Sequence, residues 1–161
     1  PTLIEDVAFG PANFGVKGDE LADVVDQALD AVSMREHARR SPHHLSGGQR
    51  RRGALATVLA CRPDILVLDE PSANLDPVAR RQLAETLLGL HQTMLVVTHD
   101  LPYAAQLCDR AVIVDAGRIV ADGAIDDVLA DEGLLAAHRL ELPWGFNAHS
   151  LSAARAARAG G

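Results

Sequence analysis

Three stretches of this chain decide how it is read: Leu45-Ser46-Gly47-Gly48-Gln49, Ile65-Leu66-Val67-Leu68-Asp69-Glu70-Pro71, and Ser72-Ala73-Asn74-Leu75-Asp76. Ser46-x-x-Gln49 is a capping box, in which the hydroxyl accepts from the Gln49 N–H and the Gln49 side chain reaches back. That much needs no ligand. Two consecutive glycines weaken a helix start, yet they let a phosphate approach backbone N–H groups at the positive end of a helix. Residues 65–68 form a continuous apolar run, the pattern of a strand covered on both faces in a parallel sheet. The strand delivers two carboxylates, Asp69 and Glu70, to its end, where the bland reading is a strand ending in solvent. Asp76 before Pro77 reads as an N-cap followed by proline at the first helical position.

In this order and at this spacing, the stretches resemble the signature motif, Walker B strand and D-loop of the ATP-binding-cassette ATPases. His99, after the apolar run 93–98 and before Asp100-Leu101-Pro102, fits that family's switch histidine. Four motifs in register are far more specific than any one alone. The resemblance implies an α/β fold with a P-loop NTPase-like (RecA-like) core, here incomplete, and a helical signalling subdomain. It implies ATP and Mg²⁺ as cofactors. Asp69 would hold Mg²⁺, and Glu70 would orient and polarise the attacking water. Leu45, Ser46, Gly47, Gly48 and Gln49 would clamp the γ-phosphate of ATP held by a second subunit, so the site is complete only in a head-to-tail dimer. Asp76 would lie across that interface, and His99 would contact the γ-phosphate and report ATP against ADP.

No phosphate-binding loop G-x-x-x-x-G-K-[ST] occurs in the sequence. The nearest candidate, Gly10-Pro11-Ala12-Asn13-Phe14-Gly15-Val16-Lys17-Gly18, fails three times. Its lysine is one residue late, no Ser or Thr follows, and no apolar strand leads into it. The family's glutamine loop is also missing. The chain begins at Pro1 and is expected to be the C-terminal part of a larger cassette.

Composition narrows the partners. The 161 residues suit one domain, the net charge is −7, and Lys17 is the sole lysine. This balance disfavours a nucleic-acid-binding face, which needs a basic stripe or patch. No apolar run approaches the ~20 residues of a membrane span, and nothing resembles a signal peptide. Cys61 and Cys108 lack CxxC spacing and are expected to be reduced, buried and inert in a cytosolic protein. His43-His44 has no carboxylate or Cys partner nearby and reads as solvated. Arg50-Arg51-Arg52 opposes the helix macrodipole and reads as an exposed polar face, with phosphate attraction as the other possibility.

Periodicity predicts a helix from residue 20, with Leu21, Val24, Val25, Ala28, Leu29 and Val32 on one face and Asp19 as N-cap. Further helices are expected over 48–61, 78–90 (Val78, Leu83, Leu87 and Leu90 on one side), 101–108 and, in short pieces, 125–140. A second buried strand is expected over 94–97. Strands 111–115 and 118–121 flank Ala116-Gly117 as a tight hairpin. Residues 1–18 are rich in Gly and Pro and receive no element. Beyond Trp144 a frayed or disordered tail is expected. The resulting division is 1–61 (helical subdomain and signature helix), 62–130 (ATPase core) and 131–161 (terminal helices and tail).

The segment Pro1 to Gly15 looks like the region just past the glutamine loop of cobalt/nickel-type and other energy-coupling-factor importers. There it lies near the groove that receives a coupling helix. The resemblance thus implies an importer's ATPase subunit, peripheral on the cytoplasmic face of the cell membrane. Its partners would be a membrane-embedded subunit and a second ATPase subunit, identical or paralogous, with no nucleic acid. Two alternatives stay open: a non-transport cassette protein, and a catalytically silent docking or dimerisation fragment. In the sheet, the strand before the missing phosphate loop is expected to lie between the two buried strands. That leaves them roughly 9–10 Å apart across an open slot, with Glu70 and His99 facing the nucleotide site. Without the phosphate cradle, this chain alone should bind Mg-ATP weakly and hydrolyse it negligibly. Calorimetry giving micromolar affinity, about −8 kcal/mol, would contradict this.

Overall fold

Thr2 opens the first helix: its backbone N–H and its hydroxyl both donate to Glu5 Oε2, at 2.7 and 2.9 Å. Residues 1–18 are therefore not merely a Gly/Pro-rich lead, because α1 spans Leu3–Asn13. Leu3, Val7 and Pro11 form its buried stripe at i, i+4, i+8 spacing. The computed structural model describes residues 1–146; the tail expected beyond Trp144 falls, from residue 147 on, outside the described residues. The other elements are α2 (Gly18–Ala31), α3 (Gly47–Leu59), β1 (Ile65–Asp69), α4 (Pro77–Leu88), β2 (Thr93–Val97) and α5 (Leu101–Leu107). After these come β3 (Arg110–Asp115), β4 (Arg118–Ala124), α6 (Ile125–Ala130) and α7 (Glu132–Ala137). The chain divides into two compact units, Pro1–Leu95 and Val96–Gly161.

In the first unit α1 packs on α2 and α3, α2 on α3, and α3 on α4. Val24, Val25, Ala28 and Leu29 are the buried face of α2, as the periodicity predicts. The N-cap, however, is Lys17, and Asp19 sits inside the first turn, where its charge complements the positive helix end. Arg35 forks across the end of α2 to Asp26 and Asp30, both at 2.6 Å. Hydrogen bonding to Asp30, then the charges of both carboxylates, raises its pKa further. On α4 the buried residues are Leu83, Ala84 and Leu87. Val78 is exposed instead, because five residues back is about 140° around a helix from Leu83.

Two expectations about the strands fail. β1 and β2 are hydrogen-bonded neighbours, so no strand lies between them here and the predicted slot is not formed. Direct pairing satisfies facing backbone groups that would otherwise cost about 1–3 kcal/mol each. Nor is either strand covered on both faces. Leu66 is 2% exposed, whereas Ile65 and Val67 are each 62% exposed, the alternation of a half-buried strand. Leu66 lines the same small cavity as Leu55 of α3 and Leu83 and Leu87 of α4, which cover that side. Leu95 and Val97 of β2 are likewise exposed.

The second unit is built on the β3–β4 hairpin, antiparallel from Arg110↔Ala124 to Asp115↔Arg118, with a register shift between Ile113 and Val114. Ala116 (φ 47°) and Gly117 (φ 75°) make the turn, both in the left-handed region that two-residue hairpins require. Ile113 joins Leu101, Ala105, Ile125, Val128, Leu129 and Leu135 in one core. Val112, Val114 and Ile119 stay exposed. Among the described residues no helix is long and apolar enough to cross a membrane.

Arg110 closes the open end of the hairpin on Asp122 with two bonds, Nε to Oδ1 and Nη2 to Oδ2, both 2.7 Å. The hydrogen bonds from Arg110 lower the Asp122 pKa. A carboxyl lowered on folding contributes stability that is complete above its unfolded pKa, about 3.9, and lost as pH falls through the lower folded value. Thermal melts of wild type and Asp122→Asn should therefore differ near neutral pH and converge as pH drops below about 4. A constant difference down to strong acid would show that the ion pair is not its source.

Candidate functional site

The signature residues form the start of α3. Ser46 Oγ accepts from the Gln49 N–H at 3.2 Å, and the Ser46 N–H donates to Gln49 Oε1 at 2.9 Å. The capping box read from sequence is complete. Leu45 anchors the loop, buried below this start. The two glycines are not equivalent. A Cβ at Gly47 would meet nothing within 4 Å, whereas one at Gly48 would stand 2.7 Å from Ala79 Cβ. Gly48 therefore lets α3 approach the first turn of α4, and Gly47 leaves the positive helix end open. Gln49 Nε2 lies 2.9 Å from His37 Nε2, a contact that no spacing rule signals.

Asp69 ends β1 and is exposed. Glu70 follows with φ 43°, a left-handed backbone that costs a non-glycine residue of order 1–3 kcal/mol and tends to mark functional turns. The turn is tight: the Ala73 N–H donates to Glu70 O at 3.1 Å and the Leu75 N–H to Ser72 O at 3.3 Å. Asn74 is also left-handed, at φ 59°. Asp76 caps α4, its Oδ1 accepting from the Val78 and Ala79 N–H groups at 2.9 Å each. Arg51 Nη2 donates to Ala73 O at 3.0 Å, and Arg52 Nη1 to Gln82 Oε1 at 2.7 Å. The reading of Arg50-Arg51-Arg52 as an exposed polar face is thus wrong for two of the three. Arg51 and Arg52 tie the signature helix to the 72–76 loop and to α4.

Residues 45–49, Asp69, Glu70 and Asp76 all lie in the first unit, on α3, at the end of β1 and at the start of α4. His99 belongs to the second, exposed between β2 and α5. The Asp100 N–H donates to Thr98 Oγ1 at 3.0 Å, and Asp100 Oδ1 accepts from the Tyr103 N–H at 3.1 Å, capping α5. Among the described residues no group of three or more His, Cys, Asp and Glu is placed to hold a metal ion. A lone exposed carboxylate such as Asp69 still suits Mg²⁺, which keeps several waters and takes its remaining oxygens from phosphate. Cys61, expected to be buried, is exposed, because it follows the last turn of α3.

The glycine asymmetry is testable by denaturation. Gly48→Ala should lower stability by roughly 1–3 kcal/mol through overpacking against Ala79. Gly47→Ala should leave the midpoint unchanged or slightly raised, since alanine favours the helix. Equal losses at both positions would contradict the packing described.

A family model described as ABC transporter matches residues 3–73. The putative ABC transporter ATP-binding protein SCO3161 of Streptomyces coelicolor is 61% identical over 153 residues, covering 95% of this chain and 59% of that protein. The energy-coupling factor transporter ATP-binding protein EcfA of Methanothermobacter thermautotrophicus is 38% identical over 146 residues, 89% of this chain and 47% of that protein. Among solved structures, cbiO1 from Clostridium perfringens, part of the ABC transporter complex cbiONQ, superimposes with TM-score 0.73 at 32% identity. It covers 88% of this chain and 58% of that one. The ADP conformation of the cassette MJ1267 gives TM-score 0.77 at 23% identity, over 87% of this chain and 63% of that one, which bears on fold alone. The chain spans less than two thirds of the length of each of these relatives. The P-loop NTPase class of fold is shared with them, with β1 and β2 directly paired. Motif order, fold and extent of likeness agree: this chain belongs to the ATP-binding-cassette family.

Proposed function

We propose that this chain supplies the signature, water-activating and switch elements of an importer's ATPase, and that its signature acts on ATP held by a second ATPase subunit. The observation that carries this is the start of α3: a complete capping box, Gly48 packed against α4, and Gly47 with open space before it. Backbone N–H groups at such a helix end attract phosphate. Asp69 would hold a Mg²⁺ ion, and Glu70 aligns the attacking water as general base. Mg²⁺, when bound, would supply neutralisation of phosphate charge. His99 senses the γ-phosphate, and Asp76 meets the partner subunit while capping α4.

The membrane partner fits the groove between α1 and α3, about 500 Å³, lined by Leu3, Phe9, Pro42, Leu45, Arg50 and Thr57. Phe9 at its edge is 71% exposed and Phe14 79%, apolar area that a coupling helix would bury. The likeness to EcfA and to cbiO1 supports an energy-coupling-factor type of importer, and we take its solute to be cobalt, nickel or a vitamin and its place to be peripheral on the cytoplasmic face of the membrane.

In the full-length cassette, Glu70→Gln should retain ATP while cutting turnover by about 10²-fold or more. Gly47→Asp should abolish hydrolysis and nucleotide-driven dimerisation yet leave nucleotide binding by the monomer intact. Loss of monomer binding in Gly47→Asp would refute action on a partner's nucleotide.

A further inference from the structure

His37 ends the one-turn 3₁₀ helix Arg35–His37 and is 9% exposed. Its Nε2 lies 2.9 Å from Gln49 Nε2. The Gln49 amide oxygen already accepts the Ser46 N–H at 2.9 Å, so the end turned towards His37 is the NH₂ group, which only donates. His37 Nε2 must then offer its lone pair. Such a bond requires the ring proton on Nδ1 and a neutral imidazole. His37 Nδ1 is buried without a hydrogen-bond partner, so the ring's one bond to a neighbouring side chain of the signature is as an acceptor.

We propose that His37 is a positioning residue for the signature loop, an acceptor that holds Gln49 and, through it, the start of α3. The inference rests on the reading of residues 45–49 as phosphate-facing. With neutral His37, Gln49 is held at both ends of its amide, by Ser46 and by His37, and the Ser46 N–H stays engaged. A proton on Nε2 sets an N–H against an NH₂ group and releases that anchor. Of the charged groups around it, Glu36 Oε1 lies 3.6 Å from Nε2. On α2, which packs against this turn, Asp26 and Asp30 are already paired with Arg35. On α3 the facing group is the neutral amide itself.

Two variants of the full-length cassette test this: His37→Phe keeps the ring volume without an acceptor, and His37→Gln keeps an acceptor oxygen that does not titrate. His37→Phe should lower kcat for ATP hydrolysis about tenfold, with KM for ATP changed less than about twofold. His37→Gln should restore most of the loss. Nitrogen-15 NMR should show His37 as the Nδ1–H tautomer at neutral pH, and hydrogen exchange at Ser46 should quicken in His37→Phe. An Nε2–H tautomer, unchanged Ser46 exchange in His37→Phe, or equal kcat in the two variants overturns the proposal. Absence of ATP hydrolysis in the wild type would refute the proposed function instead, and the tautomer and exchange measurements would still decide the role of His37.

Discussion

The approach of α3 to α4 at Gly48 and Ala79 is the constraint on which the site depends. It places a capped, glycine-opened helix start beside the N-terminus of α4, whose own cap is Asp76. Around it, Arg51 and Arg52 reach from α3 to the 72–76 loop and α4. The signature, the turn after β1 and the first turn of α4 are therefore tied together. A side chain at residue 48 would push α3 outward and disturb all three, although only the signature was changed.

The motifs were legible because each rests on local rules. Ser46-x-x-Gln49, Asp76-Pro77 and Ala116-Gly117 name a capping box, an N-cap and a hairpin turn from residue types alone, and the structure forms all three. What was not legible depends on distant parts of the chain. Thr2-x-x-Glu5 is a capping box that opens α1, and the Gly- and Pro-rich composition of residues 1–18 hides it, even though proline near a helix's last turn disturbs little upstream. The order of strands cannot be deduced from apolar runs, so the supposed slot between β1 and β2 was an error of topology. The services of Arg51, Arg52 and His37 depend on partners 12 to 30 residues away in sequence, and no periodicity announces them.

The apolar runs of β1 and β2 also misled about burial. Their composition suits strands covered twice, yet Ile65, Val67, Leu95 and Val97 face solvent in this chain. Continuous hydrophobicity reports what a strand is suited to meet, not what it meets among the residues present. With the chain spanning less than two thirds of its relatives' length, that mismatch is where sequence and structure speak about different extents of protein.

Glu70 holds a backbone conformation that glycine or asparagine would adopt with less strain. A carboxylate is kept there at the expense of folding free energy. Thermal hardening of this protein by relaxing its least comfortable residues would reach position 70 early. The sturdier molecule it produced would have lost the group proposed to align the attacking water.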